Sequence, residues 1–276
     1  MPGEVHETMI AKLVRETERQ LERIASPLHP HPPSQQPSSS SFAKEIKDER
    51  STTITFEDPE YGRHDPDEQF RHSLAQYPSV VLEVSHSEKR KDLPRLADEY
   101  ILGSDGNITM LIGVDIDYRG TKKSTLSIWQ PQIIRNGDGE MELVAVQTVT
   151  DQILRHEDGR PNTCEDAGLH LQLQDFAPKS VVKEYKQPMN ETIFIPAITL
   201  CSYLERAEEA CARVKRREGV VDHMKNEFLK RKRPITPPEK LSASDKERFR
   251  NERKRVMDKL EKVDESWKGE SSNDDR

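Results

Sequence analysis

The chain has 276 residues, of which 34% are charged and only 33% hydrophobic, so one core of about 150 residues suits its apolar content better than two. Apolar runs such as Val80-Val81-Leu82 and Met110-Leu111-Ile112 fall far short of the ~20 residues a membrane span needs, no secretory apolar region follows Met1, and three cysteines without a CxxC pair suggest neither a disulfide framework nor a zinc knuckle. A net charge of -7 argues against coating nucleic acid by bulk electrostatics, and the cysteine usage points to a reducing, intracellular compartment.

Taken in chain order, Met9, Ile10, Leu13, Val14, Leu21 and Ile24 recur near helical spacing, which predicts an N-terminal helix within residues 1–25 that packs on the core. Residues 26–50 read as a disordered linker, because the Pro, Ser and Gln of 26–42 bury too little apolar area to offset ordering. The core domain is expected over 51–200. Residues 52–56 read as a short strand, 69–76 give a weaker strand signal, and 80–84 give the clearest one. Leu93, Leu96 and Tyr100 predict a helix over 92–102, with Pro94 in its first turn and the turn residues 104–107 behind it. Strands follow over 108–118 and 124–130, then, past Asn136-Gly137-Asp138-Gly139, over 140–149, with further short ones at 169–176 and 191–195. The order is that of an α/β domain around a mixed central sheet flanked by helices.

Residues 201–276 read as a charged helical tail outside the core, with helix-permissive stretches at 202–233 and 242–267 broken by Pro234, Pro237 and Pro238. Its apolar residues are too sparse for more than a weak coiled-coil signal. Residues 203–268 carry 20 Lys plus Arg against 14 Asp plus Glu, a local +6 that leaves -13 for the rest. Such a tail can touch phosphates locally or contact a protein partner. Within it, Lys230, Arg231, Lys232 and Arg233 before Pro234 match a nuclear-import run and equally match an ordinary solvated helix face.

Two carboxylates stand out. Glu83 interrupts the apolar strand, where alternation sets Val81, Glu83 and Ser85 on one face and Val80, Leu82 and Val84 on the other. A carboxylate there must be solvated, paired or bound to a cation. Asp67, in His64-Asp65-Pro66-Asp67, can converge with Glu83 on one hard divalent ion if it ends the neighbouring strand; turn chemistry explains it as well. His64, His72 and His86 read as surface histidines, Asp115 and Asp117 as half-exposed strand residues without chemistry, and Trp129 and Phe194 as core.

Pro66-Asp67, then Glu83-Val84-Ser85 on a hydrophobic strand, then a helix with Asp92 and Tyr100, resemble the PD-(D/E)XK nuclease superfamily, and most of all its small putative restriction-endonuclease branch. The resemblance spans roughly residues 52–129, with a looser match of 6–21 to the family's opening helix. It implies a restriction-endonuclease-like core in which Asp67 and Glu83 bind Mg²⁺ or Mn²⁺, with the Val84 carbonyl as a further ligand, and a metal that activates water against a phosphodiester of DNA or RNA. The family's lysine falls two residues after the acid, where this chain has Ser85. Lys89, Lys91 and Arg95 are the nearby cations that can substitute for it. The branch also places its Pro-Asp directly before the strand, where this chain has Pro78-Ser79, so Ser79 competes with Asp67 as the first-acid position. Two functions follow as expectations: a metal-dependent nuclease, or a catalytically inactive nuclease-fold protein that works as a nuclear binding or scaffold module through its tail.

Overall fold

A computed structural model describes residues 2–26, 38–86, 92–117, 120–185, 189–221, 242, 244–251 and 253. The chain divides into two units, Met1–Val220 and Val221–Arg276. In the second, residues 244–251 are helical and the Ser242 hydroxyl accepts the Asp245 amide at 3.1 Å, an N-cap arrangement.

The first unit is α/β. Its elements are α1 (Pro2–Ala25), α2 (Ser39–Lys44), β1 (Ile46–Asp48), β2 (Ile54–Thr55), β3 (Arg63–His64), β4 (Glu68–His72), β5 (Val80–His86), α3 (Leu93–Gly103), β6 (Met110–Ile116), β7 (Ser124–Arg135), β8 (Met141–Arg155), β9 (Gly168–Gln172), α4 (Lys179–Glu184), β10 (Thr192–Pro196) and α5 (Ala197–Lys215). A six-stranded mixed sheet has the order β1-β4-β5-β6-β7-β8. β5 and β6 are parallel and joined through α3, as a parallel pair requires a crossover; the other neighbours are antiparallel.

Both faces of the sheet are covered, and the alternation of β5 shows how. Val80, Leu82 and Val84 join Met9 and Leu13 of α1 and Leu200 and Leu204 of α5 in the larger core. Val81 faces the other way, into a smaller core with Leu93, Ala97, Tyr100 and Ile101 of α3 and with Trp129. Coverage on two sides explains why β5 and β6 read as nearly continuous apolar runs.

Several expectations need correction. Residues 38–50, placed in a disordered linker, form α2 and β1, because Phe42 and Ile46 are buried against α1 and β4; residues 27–37 lie outside the described residues. The domain boundary at Leu200 falls inside α5, whose Leu200, Cys201, Leu204, Ala207 and Cys211 are buried, so the start of the supposed tail is core. The strand at 52–56 shrinks to Ile54–Thr55 and pairs only with β3, while Leu173–Phe176 is a 3₁₀ turn. His72 is fully buried. Asp115 is buried too, because Ser85 bonds it across the strand pair. No described helix is long and apolar enough to cross a membrane.

Candidate functional site

The two singled-out carboxylates lie at neighbouring strands, Asp67 immediately before β4 and Glu83 midway along β5. Glu68 pairs with Leu82 and Gln69 with Val81, so the antiparallel register carried one step further sets Asp67 opposite Glu83. Asp67 sits in the bend just before β4 begins, after the buried Pro66. There its carboxylate continues what the ladder would have done: Oδ2 accepts the Val84 amide at 2.7 Å. The same oxygen lies 3.1 Å from Nε2 of His6, which reaches it from the first turns of α1. That hydrogen bond, against the opposing effect of burial, raises the His6 pKa and favours the imidazolium.

Glu83 faces α3. Its Oε1 accepts the Tyr100 hydroxyl at 2.7 Å, and Tyr100 is 1% exposed. Burial first, then the charge of Glu83, holds the Tyr100 pKa far above its ordinary value; Asp67 and Asp65 add to the effect. Tyr100 is therefore a permanent donor, and three carboxylates stand close enough for it to sense them. Gly113 on β6, the register partner of Glu83, makes room on this face: a Cβ there would lie 3.0 Å from both Leu93 Cδ1 and Trp129 Cζ3. A side chain at 113 would push α3, and Tyr100 with it, off the sheet.

Where the family's lysine falls, Ser85 donates to Asp115 Oδ1 at 2.8 Å, and both residues are buried. Arg95 is occupied by Glu99 at 2.5 Å, and Glu99 also faces His64 at 3.3 Å. Lys89, Lys91 and the side chain of His86 lie outside the described residues, as do Lys230, Arg231, Lys232 and Arg233. Of the two positions that competed for the first acid, Asp67 stands across from the middle of β5, beside Val84. Ser79 directly precedes the strand, where its amide donates to Phe70 and its hydroxyl is buried without a partner.

Comparison with protein-family models, with curated proteins and with solved structures found no match. Among the described residues no group of three or more His, Cys, Asp and Glu side chains is placed to hold a metal. Two carboxylates still fit Mg²⁺, which is usually held by one or two of them with waters completing its shell. Asp67 would meet such an ion with Oδ1, since Oδ2 is engaged by Val84 and His6. The Val84 amide is spent on Asp67, which fixes the backbone at the position proposed as a carbonyl ligand.

His6 and Asp65 were not singled out by their sequence context, and Asp115 read as a half-exposed strand residue without chemistry. Two features point to Asp115 and His6 in retrospect: the parallel register that sets Ser85 beside Asp115, and the position of His6 one turn before Met9 in α1.

Proposed function

We propose that the protein has a restriction-endonuclease-like core of the PD-(D/E)XK type, and that Asp67 and Glu83 hold one Mg²⁺ or Mn²⁺ for hydrolysis of a phosphodiester bond in DNA or RNA. The observation that carries this reading is the cross-strand placement of Asp67 opposite Glu83, with a buried tyrosine donor on one side and an imidazole on the other. When bound, the metal would polarise the phosphate and lower the pKa of an attacking water. The chain's own contribution is positioning. Tyr100 fixes the Glu83 carboxylate, the Val84 amide and His6 fix that of Asp67, and Leu93 and Trp129 pack closely over Gly113, which seats α3 on the sheet.

The experiment is paired calorimetry and cleavage. Mn²⁺ titrated into the full chain should release or absorb heat, and Glu83→Gln should abolish both that heat and the cutting of single- and double-stranded substrates. Cleavage that persists undiminished in Glu83→Gln sinks the proposal.

One observation favours a second reading. Ser85 occupies the lysine position and is committed to Asp115, so the side chain at that position brings no charge to steady the attacking water. On this reading the fold is kept and catalysis is lost, leaving a binding or scaffold module whose basic tail, with Lys230 to Arg233 as an import signal, works in the nucleus. Metal binding without cleavage, together with nuclear retention lost on replacing those four residues by Ala, supports it.

A further inference from the structure

The edges of the sheets are treated differently. β1, at one end of the six-stranded sheet, is three residues long and carries Lys47, a short and charged edge that discourages pairing. The β10 edge is capped by a side chain: the Gln20 amide of α1 donates to the Phe194 carbonyl at 2.9 Å and accepts the Phe194 N–H at 3.0 Å. Among the described residues, β8, at the other end of the large sheet, has no such protection over most of its 15 residues. Only its last turns are covered, where Asn162 donates to the Leu154 carbonyl at 3.0 Å and the Ile153 carbonyl at 2.8 Å. Among the described residues, nothing bonds the outer edge of 141–150.

That edge is also regular. The register shifts against β7 end at Trp129, and from Gln147 to Met141 the ladder runs without a break. Every second residue there turns its N–H and C=O outward. Residues 143–150 (Leu-Val-Ala-Val-Gln-Thr-Val-Thr) contain no charge, no Pro and no Gly, the composition that associates strands most readily.

We propose that β8 is the pairing edge of a homodimer, in which a second copy adds its own β8 antiparallel about a two-fold axis. An isologous contact uses the same free donors and acceptors on both copies. The choice of a second copy rests on charge. A chain of net charge -7 repels itself, and 143–150 is an uncharged stretch of exposed edge where two copies can approach. Centred on Val146, the pairing sets Glu142 opposite Thr150 and Met141 opposite Asp151, so the two carboxylates that bound the run never face their own kind. Ile133 and Met141, 67% and 63% exposed on the same hairpin, supply apolar area beside the new ladder. The inference does not depend on the nuclease reading, since β8 lies three strands from β5.

The test is sedimentation of the full chain across roughly 1 to 100 μM, the range that resolves a modest association constant, with amide exchange followed on the same samples. Expected is a shift from one chain mass to two as concentration rises, with slowing of exchange confined to 143–150. Val146→Lys, which opposes two like charges at the axis, should leave a monomer with an unchanged circular dichroism spectrum; Ala145→Pro, which removes an outward-facing edge donor, serves if the lysine variant misfolds. A monomer throughout the range overturns the proposal, as does a dimer that survives both substitutions. Protection of 143–150 that does not vary with concentration also overturns it, because the chain would then be covering its own edge.

Discussion

The Tyr100 hydroxyl donates to Glu83 Oε1 at 2.7 Å from a side chain that is 1% exposed, and this bond joins α3 to the centre of the sheet. Two substitutions separate its structural from its chemical value. Tyr100→Phe leaves the packing but strips a part-buried carboxylate of its donor, and is expected to cost about 1.5 to 3 kcal/mol in urea unfolding, as bonds to charged groups do. Glu83→Gln keeps an oxygen for Tyr100 to bond and removes the negative charge. Metal binding should disappear while the Tyr100 contact is kept. Metal binding that persists undiminished in Glu83→Gln would take Glu83 out of the site.

Glu68 faces away from this site, next to Asp67 in sequence but 5% exposed and hydrogen-bonded to the Asp48 carboxylate. Burial first, and then that shared proton, pushes its pKa from 4.5 up to about 8. The fold therefore holds a proton that the unfolded chain releases above 4.5, and stability should fall as pH rises from about 4.5 to about 8 and then level off. Glu68→Gln keeps a donor toward Asp48 without the ionisation. We expect it to raise the midpoint of thermal unfolding by roughly 3 to 6 °C at pH 8.5 and to leave it almost unchanged at pH 5.

His72 gives the opposite slope. Its Nδ1 accepts the Leu74 amide at 3.2 Å, so Nε2 carries the proton toward Tyr185 OH at 3.1 Å, and Phe42 stacks on the ring with centroids 4.7 Å apart. Burial lowers its pKa below the ordinary 6.5. The unfolded chain thus takes up a proton that the fold refuses, and stability present above 6.5 is lost as pH falls. Just below 6.5 the Glu68 and His72 slopes oppose each other, and of these two only that of Glu68 acts between 6.5 and 8. Proton resonances of His72 that titrate at or above 6.5 in the folded protein would refute this assignment.

The sequence showed β5 and α3 clearly, because an apolar run and a helical stripe are local signals. It also singled out Asp67 and Glu83, since a carboxylate inside such a run is conspicuous. Their apposition was not visible, because it depends on a strand register set by Gln69 against Val81. His72 read as a surface residue because what buries it, Tyr185, lies 113 positions away. α5 was hidden differently. Leu200, Leu204, Ala207 and Cys211 repeat at helical spacing, yet the charges between them made the segment look like solvated tail. α2 and β1 were missed because six- and three-residue elements leave no periodicity to detect.

Gln20 offers a test of whether one side chain can stand in for a strand. It lies on α1, 174 residues from Phe194, and satisfies both backbone groups that β10 turns outward there. Its amide also bonds Glu16 Oε1 at 2.8 Å, which fixes the rotamer. Gln20→Met keeps the length but supplies neither group, and should cost about 2 kcal/mol because both backbone partners lose their bond. Gln20→Glu supplies an acceptor for the Phe194 N–H, loses the donor and sets a carboxylate against a carbonyl oxygen. If bidentate capping is what α1 contributes, neither variant recovers parental stability, and amide exchange at Phe194 should be fast in Gln20→Met and slower in Gln20→Glu. Equal exchange in the two variants would show that the edge is protected by burial and that the amide contributes only packing.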